Sequence, residues 1–228
     1  MPPRVLPFGP LSTTRYSVNG VAFDMVRVPP GRFVDGEGWG KRALLVSRPL
    51  ELGVTLVTQA LWRAVTSMSP SHFRGDDLPV EQASWDDAQV FLGRLEDLGF
   101  RGFRLPTEAE WVWAARCGVP TRWVGADRFK PVATVNQYTT ASVGGLLPSA
   151  AGAFDLSGNL WEQLRDGWSD AFAAGVDVWR PPSRSFRVRR GGSWFSDPLS
   201  ARVATRSHMA SDDGGSSTFG VRLARSIT

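Results

Sequence analysis

A chain of 228 residues, 42% hydrophobic and 21% charged, can bury a core as one large domain or two small ones, which excludes an extended low-complexity protein. Lys+Arg 26 against Asp+Glu 22 gives a formal net charge of +4, and the cations are almost all Arg, with Lys only at Lys41 and Lys130. Cys117 is the single cysteine, so an intramolecular disulfide and a cysteine-based zinc site are both excluded.

The start, MPPRVLPFGPLSTTRYS, lacks an apolar run of signal-peptide length, and no window approaches a membrane span. A cytoplasmic, reducing compartment is the default expectation, with surface display left open. Residues 1–20 are Pro-rich and read as an N-terminal extension packed on a single domain of residues 21–228. Val21-Ala22-Phe23-Asp24-Met25-Val26-Arg27-Val28 alternates and predicts a strand. Pro29-Pro30-Gly31 forces a turn, Arg32-Phe33-Val34 resumes, and Leu50–Val54 is a further strand candidate.

Three helices follow. Thr58 caps a short one in which Leu61, Trp62 and Val65 share a face. Ser84 caps a second, with Asp86 and Asp87 favouring the dipole and Ala88, Phe91, Leu92 and Leu95 forming the apolar face up to Gly99. In the third, Thr107 and Glu110 complete a capping box, Trp111, Ala114 and Ala115 share a face, and Gly118 is the expected stop. Beyond residue 120 the text turns to Gly, Pro, Ser and Thr with scattered Trp, part of a total of ten. That pattern predicts long ordered loops pinned by aromatics.

The segment from Arg187 to Arg225 has a frame and a filling. The frame is Arg187-Val188-Arg189-Arg190-Gly191-Gly192-Ser193-Trp194, then Ala201–Ala204 and Arg206, then Phe219-Gly220-Val221-Arg222-Leu223. Trp194 is expected to be a buried wedge. Alternation predicts short half-buried strands over Arg202–Arg206 and Phe219–Leu223, and Gly191-Gly192 and Gly214-Gly215 mark turns or close approaches. The filling is small, polar or unmatched.

At this point VPPGRF, LPVEQASWDDAQVF, RLPTEAEWVWAAR, GAFDLSGNLWEQ, RVRRGGSW and FGVRL stand in order, and together they resemble the formylglycine-generating-enzyme type of domain. The resemblance implies an α+β, C-type-lectin-like fold: two to three helices beside a small twisted antiparallel sheet with long ordered loops. Fold alone does not give function. Oxidising members carry a copper-binding cysteine pair just after the Gly-Gly-Ser-aromatic motif, where this chain has Trp194-Phe195-Ser196-Asp197-Pro198-Leu199-Ser200. The sulfoxide-forming branch binds iron through a histidine set, and this chain has only His72 and His208. Neither copper nor iron is expected, and no catalysis.

The layout is more similar to the variable proteins of diversity-generating retroelements, in which a fixed frame presents rewritten surface positions. That resemblance implies a non-catalytic protein whose segment 187–225 varies and binds a protein or other macromolecular ligand. The expected ligand-facing positions are Phe195, Ser196, Asp197, Leu199, Ser200, Thr205, Ser207, His208, Met209 and Ser217. Alternatives are an oxidase of the formylglycine-generating or sulfoxide-forming type, and a fixed-sequence regulatory module of the same fold.

Two further constellations have alternatives of their own. Asp155 and Glu162 flank a glycine turn, and the resemblance implies a Ca2+ site made by Asp155, Gly158, Leu160 and Glu162. The other reading has the two carboxylates bonded to backbone amides and arginines. The C-terminal arginines suggest either nucleic acid or structural pairing with Asp197, Asp212, Asp213, Glu108 and Glu110. Pairing is the expectation, with no nucleic-acid partner.

Overall fold

The computed structural model describes residues 11–36, 41–128, 135, 137–170, 173–181, 186–210 and 214–227. The architecture grows from one alternating strand. Strand β1 (Thr13–Val18) pairs antiparallel with β2 (Val21–Val28), and β2 in turn with β5 (Leu50–Gly53). On β2 the side chains of Val26 and Val28 enter one hydrophobic core, while Met25 enters a second on the opposite face, with Val21 and Phe23 packed against it. This is the period of two expected of a pleated strand. The sheet continues through β12 (Ala224–Ser226) to β6 (Phe103–Arg104), giving the order β1-β2-β5-β12-β6. Strand β12, late in the chain, is therefore an interior strand between β5 and β6.

The second core is closed by α1 (Gln59–Thr66) and α2 (Trp85–Asp97). Thr58 caps α1 by accepting the Leu61 amide at 3.2 Å, and Ser84 with Asp87 forms a capping box on α2. Trp62 of α1 stacks on Phe91 of α2, ring centroids 4.8 Å apart. The first core is closed by α3 (Glu108–Arg116), whose capping box is Thr107 with Glu110. Trp111, Val112, Trp113, Ala114 and Ala115 are all buried, so α3 is apolar around most of its circumference rather than on the single face expected. The helix stops as expected at Gly118, which has φ +81, and Cys117 before it is left-handed as well.

Two smaller sheets flank α3. One comprises β3 (Gly31–Asp35), β4 (Arg42–Val46) and β8 (Gly175–Val176), with β8 parallel to β4. The other has the order β10-β9-β7-β11, from β7 (Trp161–Gly167), β9 (Phe186–Arg190), β10 (Ser207–Ala210) and β11 (Phe219–Gly220), with β11 parallel to β7.

Several expectations need correction. Of residues 1–20, Thr13–Val18 is an integral edge strand, and residues 1–10 lie outside the described set. Arg202–Arg206 is a run of turns, because the Arg202 and Thr205 amides bond back to Leu199 and Arg202 while the Val203 amide crosses to Arg122. Phe219–Leu223 pairs as a strand only over Phe219–Gly220. Gly192 has φ +75, and a Cβ there would sit 2.9 Å from the Ala201 Cα, so the expected close approach is real.

Candidate functional site

The C-terminal segment rests on two buried arginines. Arg222 is fully buried and donates through Nε and its terminal nitrogens to both oxygens of Glu162 at 2.8 Å. It also reaches the carbonyls of Gly53 at 2.8 Å and Phe154 at 2.7 Å, and Trp111 Nε1 donates to Glu162 Oε2 at 2.8 Å. Arg190, equally buried, donates to Glu108 at 2.8 Å, Asp35 at 2.7 Å and the Val203 carbonyl at 2.8 Å. Arg206 closes the network with a two-pronged contact to Glu108 at 2.7 and 2.9 Å. Asp166 accepts the Glu108 and Arg180 amides, and burial pushes its carboxyl up to about 7, with the nearby Glu108 and Glu110 adding to the rise.

Several of the C-terminal arginines also lie over aromatic faces. Arg187 lies 4.4 Å over Trp85, Arg189 lies 5.0 Å over Trp161 and 4.8 Å over Phe219, and Arg206 lies 4.4 Å over Trp168. Asp197, expected as an arginine partner, accepts the Leu199 amide at 2.7 Å and the Ser200 amide at 3.0 Å, and so caps a turn. Asp212 and Asp213 lie outside the described residues. The many Trp of the sequence thus have a second task beside filling cores: they are seats for guanidinium groups.

On this frame the candidate positions fall into two groups. The first is a loop group. Phe195 is 73% exposed and Leu199 57%, and Asp197 is exposed beside them. Ser196, Ser200 and Thr205 are half-buried, with the Thr205 hydroxyl bonded to the Leu199 carbonyl at 2.7 Å. Ser217 joins this group because its carbonyl accepts from Trp194 Nε1 at 2.8 Å. Trp194 is half-buried rather than the fully buried wedge expected, since its ring reaches outward to meet Phe73 and Phe195.

The second group is on the edge strand β10, where strand alternation divides it. Ser207 accepts from Arg189 Nε at 3.1 Å, and exposed His208 packs against Trp168 and Phe186. Met209 turns inward. It is 3% exposed and packs with Trp161 and Phe219, which removes it from the accessible surface.

His72 and Phe73, which no motif singled out as ligand-facing, extend the loop group. Ring centroids step 4.9 Å from His72 to Phe73, 5.4 Å to Trp194 and 5.5 Å to Phe195. The Phe73 amide donates to the buried Glu81 at 2.9 Å, and its carbonyl accepts from Gln59 at 3.0 Å. The Trp194 carbonyl accepts from the Gln137 amide at 2.8 Å, which ties a third segment to the row. No local pattern announces this wall, because it is assembled from three distant segments.

Asp155 and Glu162 are both buried, and Asp155 accepts the Gly144 amide at 2.7 Å. Burial pushes the Asp155 carboxyl up, with the Gly144 amide and Arg222 opposing and Glu162 adding to the rise. A calcium ion needs six or so oxygen ligands with charge to spare. Both Glu162 oxygens are already engaged by a guanidinium, which supplies the positive charge at that point. The side chains therefore fit an arginine–carboxylate pair and do not fit a calcium cage with Gly158 and Leu160. Chelator is expected to leave the melting temperature unchanged, as scanning calorimetry with and without added calcium will show. A drop on chelation that calcium reverses, and that Asp155→Ala removes, would restore the metal reading.

Cys117 is buried and its thiol is pushed up to about 11 by that burial, which suppresses the thiolate needed for redox or metal chemistry. Among the described residues no helix is long and apolar enough to cross a membrane.

Comparison with known proteins adds the context. Residues 14–227 match the family described as "Sulfatase-modifying factor enzyme 1-like domain". The formylglycine-generating enzyme of Thermomonospora curvata is 26% identical, over 98% of this chain and 84% of its own length. The inactive C-alpha-formylglycine-generating enzyme 2 of Mus musculus is 31% identical over 75% of this chain, which spans only 56% of that relative. The solved structure of Treponema denticola variable protein 1 superposes with a TM-score of 0.86 at 27% identity, covering 94% of this chain and 99% of the other. The fold is therefore C-type-lectin-like, with three helices set against several sheets.

Proposed function

The chain belongs to the sulfatase-modifying factor enzyme 1-like family, and from that premise we propose that it is a non-catalytic ligand-binding protein whose C-terminal surface is diversified. The observation that carries the reading is the division of labour in the segment after Arg187. Buried arginines and Trp194 hold the backbone, while Phe195, Ser196, Asp197, Leu199, Ser200, Thr205, Ser207, His208 and Ser217 keep their side chains at least partly accessible. Surface positions of this kind tolerate substitution within about 0.5 kcal/mol. The likeness to a protein named as variable supports the same reading. The partner proposed is a macromolecule with a surface of its own. Aromatic anchors mixed with serines are the composition of adaptable paratopes, and the row from His72 to Phe195 gives that surface a fixed wall. Met209 is withdrawn from the ligand-facing set.

A library randomised at the accessible positions is the test. Most members are expected to remain folded and monodisperse, and selection against unrelated protein targets is expected to give distinct binders. Aggregation of most members would remove the proposal. Relatives of this chain include an enzyme, so catalysis has its own check. The segment from Trp194 to Ser200 contains no cysteine, and purified protein with added copper is expected to leave a cysteine-containing sulfatase peptide unconverted. Turnover above a protein-free control would make it an oxidase.

A further inference from the structure

A cleft of about 390 Å³ opens at the C-terminal end of α3, lined by Val34, Gly36, Lys41, Arg116, Pro120, Thr121, Arg122 and Ala204. Three of these residues are cationic and none is acidic. Arg116 is the innermost cation, its side chain 12% exposed, and its Nε is buried without a hydrogen-bond partner. Its nearest carboxylate, Asp35, stands 3.6 Å away, beyond a hydrogen bond, and gives its other oxygen to Arg190 at 2.7 Å. The Asp35 carboxylate is thus shared between Arg190, which it meets at hydrogen-bond distance, and Arg116, which it does not. A buried N–H without an acceptor is costly.

We infer that this cleft is an anion-binding site, separate from the C-terminal ligand surface, that takes a small phosphate- or carboxylate-bearing molecule. The anion accepts from Arg116 and is reached from solvent past the exposed Lys41 and Arg122. A guanidinium presents a planar fork suited to either anion.

The test uses the whole chain and two probes, inorganic phosphate and succinate, each raised to about 50 mM at constant ionic strength set with chloride. One of them is expected to raise the melting temperature saturably, and which one does so assigns the anion class. Lys41→Ala/Arg122→Ala alters only exposed side chains and is expected to weaken that anion at least tenfold. Arg116→Met is expected to abolish the response. Replacing Phe195 and Leu199 by Ser is expected to leave it intact, which separates this site from the ligand surface. No saturable response to either probe, or an unchanged response in both cleft variants, would overturn the inference.

Discussion

Arg222→Ala is expected to lower the unfolding free energy by about 3–5 kcal/mol, because it strands a buried carboxylate. The side chain is completely enclosed and serves Glu162 together with the carbonyls of Gly53, Val54 and Phe154. Those acceptors come from the end of β5, the loop before β7 and β7 itself, so one guanidinium ties the central sheet to the second sheet. For a domain of this size such a loss moves the melting temperature by roughly 10 °C. Arg222→Lys is expected to recover little, since an ammonium cannot reproduce the two-pronged contact. The double variant Arg222→Met/Glu162→Leu is expected to be more stable than Arg222→Ala, because replacing both partners leaves no orphaned charge. Urea unfolding measures all three. A loss below about 1 kcal/mol for Arg222→Ala would falsify the structural role of this pair.

Such pairs also mark where sequence ceases to be enough. Caps were legible: Thr58, Ser84 and Thr107 each begin a helix, because a short polar side chain three residues ahead of a needy amide has one favourable use. Strand β2 was legible because its apolar residues alternate up to Met25 and again from Val26 to Val28, the phase changing where burial passes from one core to the other. Arg202–Arg206 alternates just as well and is not a strand. Its carbonyl at Val203 is claimed by Arg190, and its arginines are held by Trp123 in one case and by Glu108 and Trp168 in the other. Alternation there records which side chains find long-range partners, not a ladder. Met209 looked available for the same reason in reverse. Nothing near it in sequence reveals that Trp161 and Phe219 wait beneath β10. The wall formed by Phe73, Trp194 and Phe195 was hidden because Phe73, held by Glu81 and Gln59, meets Trp194, held by Gln137, only in the folded chain.

The second large effect concerns Arg190, and it separates frame from filling most sharply. Arg190→Ala withdraws the partner of Asp35 on β3, one of the two cations on Glu108 at the start of α3, and the donor to the Val203 carbonyl. Asp35 then keeps only Arg116, at 3.6 Å, and both acids remain buried. The expected loss is again about 3–5 kcal/mol. It is accompanied by faster hydrogen exchange over residues 199–206, whose turns lose their anchor. Phe195→Ser with Leu199→Ser makes a larger chemical change to the surface, yet these side chains face solvent, and about 0.5 kcal/mol each is the expected ceiling. Proteins built to accept many sequences at one surface need this contrast, because the loops cannot contribute stability that their own variation would remove. If the Phe195/Leu199 variant melts as early as Arg190→Ala, the loops carry part of the fold, and a diversified surface on this scaffold is untenable.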